Sequence, residues 1–365
     1  MPKQKNKPYL LYTPGPTEVP DFILKEISRP LVYHREERFS ELYHAIIKEL
    51  KKIFLTDGKI FIFTASGTGA MEAAVSNLIA RGDKALVVSC GKFGERWREL
   101  LIRYNAFVRN LTAPYGETVV PEELERRLKT DDTIRYVFTT LTETSTGALA
   151  DIKTYGKICH DLNRILIVDA VAGLGADEFK MDEFNVAVAV SASQKALFCP
   201  PGLSFLACNN QVWEIIKNNR SPRYYFDLSL YQRFAENDQT PWTPAISILY
   251  GLYRALKTIN KKGIKNAWQE HKTIAEYTRN FIKSLGLEIF PKVPSNALTV
   301  IKLPEGVNGS QLVEYVKNKY HILFANGQAE LRGKIIRIGH MGYLKKTELT
   351  KALQAFKKAY RYLTK

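Results

Sequence analysis

Between Glu37 and Phe54 the apolar residues fall at Phe39, Leu42, Tyr43, Ile46, Ile47, Leu50 and Ile53. That is the i, i+3, i+4, i+7 spacing that lays one buried stripe along a helix. The period then changes. KIFIFTAS is a short apolar run that reads as a strand, and SGTGAMEAAVSNLIARG reads as glycine turn, helix and terminating glycine. From there strand and helix patterns alternate through KALVVSC, ERWRELLIRY, AFVRNLTA, EELERRL, IRYVFTT, YGKICHDLN, RILIVDA and VAVAVSAS. Strands that are apolar throughout, interleaved with amphipathic helices, predict an α/β fold with a mainly parallel sheet between helices. Past a breaker at Lys261, Lys262 and Gly263 the order shifts to a helix from Asn266 to Leu285, the strand LTVIKL, a helix after Ser310, the strand KIIRIGH and a helix from about Thr347 to Leu363. Helices segregated from a few strands predict a small C-terminal α+β domain. The expected division is a large domain over residues 20–258 and a small domain formed by residues 1–19 and 259–365.

Composition narrows the class. With 365 residues, 45% hydrophobic and 25% charged, the chain is long enough for two cores and unlike disordered or collagenous sequences. Its 53 basic residues against 37 acidic give a net charge of +16. The lysines are spread along polar helix faces, as from Lys345 to Lys358, so the excess reads mainly as a solvated surface that mildly favours an acidic substrate. A nucleic-acid-binding protein would instead cluster basic residues with exposed aromatics, for which NNRSPRYYF at Asn218–Phe226 is the best local candidate. Cys90, Cys159, Cys199 and Cys208 show no CxxC pairing and are expected to be buried free thiols. The basic start lacks the apolar run of a signal peptide and no segment has the length of a membrane span, so a cytoplasmic protein with no membrane partner is expected. The six histidines show no ligand spacing and no Ser–His–Asp pattern can be placed, so neither a metal nor a hydrolase is expected.

The candidate chemistry sits at strand ends. Asp169 closes the strand ILIVDA and Lys195 follows VAVAV in SASQKAL. In open α/β sheets ligands bind at the carboxyl ends of strands, so both side chains are delivered to one rim. A lysine there can form a Schiff base, and a buried carboxylate can keep a pyridine nitrogen protonated. Ser66, Gly67, Thr68 and Gly69 lie between a strand and a helix, where hydroxyls and free N–H groups can cradle a phosphate. Neither the GxGxxG nor the GK[ST] spacing is present, which argues against dinucleotide and nucleoside-triphosphate loops. Phe93, in GKFGER, is expected on a permissive turn where it could stack on a flat ring. Thr144, in TETSTG, could donate to a ring oxygen. Arg337, in the strand IIRI, wants a carboxylate partner, which either a substrate or an internal salt bridge could supply.

With these residues in view, the chain resembles the class V aminotransferases of fold type I, nearest to the alanine–glyoxylate and serine–pyruvate aminotransferase family. SGTGAMEAA, GKFGER, ETSTG, VDAVAGLG and SASQKAL occur in the family's order, and the similarity runs from TPGP at Thr13 to RIGHMG ending at Gly342. The resemblance implies pyridoxal 5'-phosphate as cofactor, with Lys195 as the Schiff-base lysine, Asp169 beside the pyridine nitrogen and Val171 a ring contact. Ser66, Gly67 and Thr68 match the phosphate loop with Gln194 beside it, and Thr144 matches the hydroxyl near the ring oxygen. Phe93 takes a ring-stacking position often held by Trp. The family is homodimeric with shared active sites, so Thr243 in QTPWTPA is expected at the neighbouring subunit's phosphate. Thr240 stands where family members often carry Tyr. Arg337 matches the clamp for a substrate α-carboxylate, and Gly15 is expected near the substrate.

These roles imply amino transfer by a ping-pong route from a small amino acid, alanine or serine, to a 2-oxo acid, glyoxylate or pyruvate. Two rivals share the fold. An acidic donor such as aspartate or phosphoserine would use the same machinery. A C–S lyase or cysteine desulfurase would need a nucleophilic cysteine late in the chain, and none follows Cys208.

Overall fold

A computed structural model describes residues 9–364, so the part of the expected small domain formed by residues 1–8 lies outside the described residues. Seven strands form the larger sheet, in the spatial order Lys59–Phe63, Ser204–Cys208, Val188–Ala192, Ile165–Asp169, Tyr136–Thr140, Lys84–Ser89 and Phe107–Thr112. Ser204–Cys208 runs antiparallel to both of its neighbours. The remaining adjacent pairs are parallel, as the uniformly apolar strands predict. Alternation assigns each strand's side chains to two cores. Leu86, Val88, Val137, Leu166 and Val168 face one layer of helices, and Val87, Tyr136, Phe138, Ile165 and Ile167 face the other. The predicted stripe of Glu37–Phe54 enters the first core, with Phe39, Ile46, Leu50 and Ile53 fully buried.

The second sheet holds five strands in the order Leu10–Tyr12, Ile322–Asn326, Ile335–Gly339, Leu298–Lys302 and Glu288–Ile289. Only the first pairing is parallel. The helices Ile264–Lys283, Gly309–Tyr320 and Lys346–Leu363 pack on it around Ile282, Leu312, Val316, Leu353 and Phe356. The strand Leu10–Tyr12 brings the start of the chain into this sheet and leads straight toward Lys195.

One expectation needs correction. GKFGER is not a free turn: the helix Lys92–Arg103 begins inside it, with only Gly91 standing outside as the cap. A buried acceptor explains the early start. The buried Glu143 carboxylate accepts the Phe93 and Gly94 backbone N–H groups at 2.9 and 3.0 Å, satisfying donors that a helix start leaves open.

The two sheets are joined by a buried carboxylate as well as by packing. Asp177 accepts Thr142 Oγ1 at 2.7 Å from the large-sheet side, and Ser295 Oγ at 2.5 Å and the Asn296 N–H at 2.7 Å from the small-sheet side. Burial raises its pKa above the usual carboxylate range while these three donors oppose the shift.

Candidate active site

A cavity of about 130 Å³ opens at the carboxyl ends of the parallel strands. Ser66, Gly67, Thr68, Phe93, Thr144, Asp169, Val171, Gln194 and Lys195 all line it, so nine of the residues read from the sequence meet in one place. Strand direction is the cause. Asp169 ends Ile165–Asp169, and Lys195 lies three residues past the end of the parallel strand Val188–Ala192. Thr144 follows Tyr136–Thr140 on the same rim.

Asp169 is buried, and its Oδ1 accepts the Val171 N–H at 2.8 Å. Burial pushes its pKa up to about 6, against that hydrogen bond, which favours the ionised form. Above that pH it is a carboxylate facing a closed space. Lys195 is also enclosed, and burial lowers its pKa to about 8, with the Asp169 charge pulling the other way. Near neutrality its amine is thus much closer to the unprotonated, nucleophilic form than an exposed lysine. Its Nζ donates to the Pro14 carbonyl at 2.6 Å.

The segment Thr13–Thr17 acts as a strap over this lysine. The Thr17 N–H donates to the Gln194 carbonyl and the Thr17 hydroxyl to the Lys195 carbonyl. Gly15, expected near the substrate, packs against Lys195: a Cβ there would lie 2.4 Å from Nζ. It does not line the cavity.

Gly67 opens the helix Gly67–Leu78, and the Ser66 side chain forms no capping bond, so the Gly67 and Thr68 N–H groups and this hydroxyl are available to an anion, while the Gly69 N–H donates to the Ser66 carbonyl at 2.8 Å. A Cβ at Gly67 would meet Val171 Cγ2 at 2.9 Å, so glycine lets the loop close on the valine. Gln194 carries a buried Oε1 with no partner among the described residues, a polar atom aimed at a missing donor. The N–H donors at the helix start, the Phe93 ring, the buried Asp169 carboxylate and the Lys195 amine are a set that fits a flat ring carrying a phosphate.

Arg337 reaches the region from the small sheet. It is 7% exposed, and its Nε and Nη1 donate to the Asn326 and Thr144 carbonyls at 2.9 and 3.0 Å. No carboxylate among the described residues pairs with it, and burial lowers its pKa to about 10, the desolvation of an unneutralised cation. Internal salt bridging, one of its two sequence readings, is therefore not what holds it. Thr243 is exposed and does not line the cavity of its own chain. The Thr240 hydroxyl is turned inward, donating to the Trp242 carbonyl at 2.8 Å.

Residues not singled out from the sequence also belong here. Thr142, Met71 and Arg96 line the cavity, and Glu143 ties its walls together. Besides the Phe93 and Gly94 amides, Glu143 accepts the Ser145 N–H and hydroxyl at 3.0 and 2.6 Å. Arg96 and Glu143 both lie inside quoted motifs. Placing GKFGER on a helix would have put Arg96 one turn from Phe93, on its face.

The four cysteines are buried free thiols. Burial pushes each to about 12, and no reactive thiolate results. Arg223, at the centre of NNRSPRYYF, points its guanidinium at the Asn219, Ser221 and Ile216 carbonyls and at Asp227, and does not form a basic surface stripe. Among the described residues there is no metal-ligating cluster and no helix long and apolar enough to cross a membrane.

The family model described as aminotransferase class-V matches residues 18–341. A relative from Methanocaldococcus jannaschii, an uncharacterized aminotransferase, is 38% identical over 97% of this chain and 93% of its own length. The L-aspartate–glyoxylate aminotransferase of Paracoccus denitrificans is 32% identical over 92% of this chain and 86% of its own. Among solved structures, the alanine–glyoxylate aminotransferase of Nostoc sp. superimposes with a TM-score of 0.94 at 29% identity, covering 99% of this chain and 97% of that one. With the family model spanning most of the chain and the fold matching throughout, this protein belongs to the class V aminotransferases and has the fold type I architecture.

Proposed function

We propose that this aminotransferase uses pyridoxal 5'-phosphate to move an amino group from a small amino acid, alanine or serine, to glyoxylate or pyruvate. The observation that carries the reading is the meeting of a largely enclosed amine, Lys195, and a buried carboxylate, Asp169, on the cavity that also holds the Gly67 helix start. The similar proteins support glyoxylate as acceptor, since the names of the Paracoccus and Nostoc enzymes share it while their donors differ.

When bound, the cofactor supplies an electron-accepting ring and a carbonyl carbon to which amines add. The protein's own groups do the rest. Ser66, Gly67 and Thr68 would hold the phosphate, with Gln194 beside them. Phe93 and Val171 would hold the ring on its two faces, and Thr144 would donate to its oxygen. Asp169, ionised above about pH 6, would keep a positive charge on the ring nitrogen. Lys195 would hold the cofactor covalently and, once displaced by the donor's amine, carry the proton that leaves the donor's Cα. Its low pKa lets it accept that proton near neutral pH and release it again. Arg337, a buried cation without a carboxylate, would orient the α-carboxylate that donor and acceptor share.

This reading includes a large domain over residues 20–258, a small one of residues 1–19 and 259–365, a cytoplasmic location and a homodimer with shared sites. Supporting the dimer, Thr243 is exposed, and Leu31, Tyr33 and Tyr224 are also exposed, at 66%, 64% and 76%. Donor and acceptor would occupy the same place in turn. Initial rates measured with alanine at several glyoxylate concentrations should therefore give parallel double-reciprocal lines, and intersecting lines would count against the mechanism.

A further inference from the structure

Arg96 lines the cavity from the second turn of Lys92–Arg103. Its Nη1 donates to Thr68 Oγ1 at 3.1 Å. Its guanidinium carbon lies 4.8 Å from the centroid of the Phe93 ring. Among the described residues it forms no ion pair, and the bond to Thr68 is its one side-chain hydrogen bond. Arg35, Arg223 and Arg337, by contrast, each place two or more donors on protein oxygens.

The direction of the Arg96–Thr68 bond has a chemical consequence. A guanidinium has five donors and no acceptor, so Thr68 Oγ1 must accept in this bond. The hydroxyl's own proton is thereby left to point elsewhere. Thr68 lies in the cavity wall next to Ser66 and Gly67, so that proton is free to turn toward an anion at the helix start. The same side chain brings a permanent positive charge and unused N–H donors to the spot, and it rests on the aromatic ring that borders the cavity.

We propose that Arg96 is a specificity-determining residue for the phosphate, adding a cation to the helix-start cradle and orienting the Thr68 hydroxyl as a donor to it. This rests on the reading of the cavity as a pyridoxal-phosphate site. Arg96 would make the site select a phosphorylated ring over an unphosphorylated one.

The test compares binding of pyridoxal 5'-phosphate and of pyridoxal to the cofactor-free protein, by titration of the visible band, for wild type, Arg96→Met, Arg96→Lys and Thr68→Val. Arg96→Met should weaken pyridoxal-phosphate binding roughly tenfold or more, the range for a lost charged hydrogen bond, and leave pyridoxal binding within about twofold. Arg96→Lys should recover part of the loss, because the charge returns without the planar donor fork. In Arg96→Met the further loss on Thr68→Val should be smaller than in wild type, because the hydroxyl is no longer oriented. Equal weakening of both ligands, or unchanged pyridoxal-phosphate binding in Arg96→Met, would overturn the assignment. If wild type takes up neither ligand at Lys195, the pyridoxal-phosphate reading itself falls, which is a distinct outcome from a site that loads normally and ignores Arg96.

Discussion

At the scale of single residues, the site depends on withdrawing ionisable groups from water. Asp169 and Lys195 both move away from their usual pKa values because burial penalises their charged forms, to about 6 and about 8. For Lys195 the sign gives a pH dependence. Cofactor loading needs the neutral amine, so the loading rate of cofactor-free protein should climb as pH rises toward about 8 and level off above it. A rate still climbing in proportion to hydroxide up to pH 10 would mean an ordinary lysine. Gly15 sets the position of that amine. Its φ of +123° lies where side-chain-bearing residues are strained, and an added methyl would sit 2.4 Å from Lys195 Nζ. Gly15→Ala must shift either the strap or the lysine. Turnover should fall on the order of a hundredfold, as expected for a reacting group displaced by about an ångström, with the far-ultraviolet circular dichroism unchanged. Full activity in this variant would show that the strap does not fix the lysine.

At the scale of elements, parallel strands do most of the positioning. Once Tyr136–Thr140, Ile165–Asp169 and Val188–Ala192 run the same way, Thr144, Asp169 and Lys195 share a rim whatever the details of the loops. This is why so much of the site could be read from the sequence: it needed only strand patterns and the residues that follow them. What escaped was set by contacts between distant segments. Ser204–Cys208 is a five-residue apolar run without periodicity, and Leu10–Tyr12 is three residues long and becomes a strand by pairing with Ile322–Phe324. The start of Lys92–Arg103 depends on a carboxylate some fifty residues away. That carboxylate can be tested. Glu143 Oε2 accepts two backbone N–H groups, and Oε1 accepts the N–H and O–H of Ser145. Glu143→Gln would turn one of these acceptors into an NH₂ group, leaving at least one buried N–H unpaired. A stability loss of about 1–3 kcal/mol is expected from denaturant titration. Unchanged stability would mean that the helix start finds its partners elsewhere.

At the scale of the whole molecule, the cavity belongs to the large sheet while Arg337 arrives from the small one through the Thr144 carbonyl. Asp177, bonded to Thr142 on one side and to Ser295 and Asn296 on the other, holds the two in register beside the site. Arg337 and Lys195 thus come from separate cores, and the distance between them depends on how those cores dock. The most direct test of the central claim, that Lys195 carries the cofactor for amino transfer, is the visible absorption spectrum of the protein loaded with pyridoxal phosphate, before and after L-alanine and then glyoxylate, beside Lys195→Ala. The account predicts a yellow band that collapses with alanine, returns with glyoxylate and does not form in the variant. A protein that stays colourless after loading, or a variant with the same band and the same response to alanine, would contradict it.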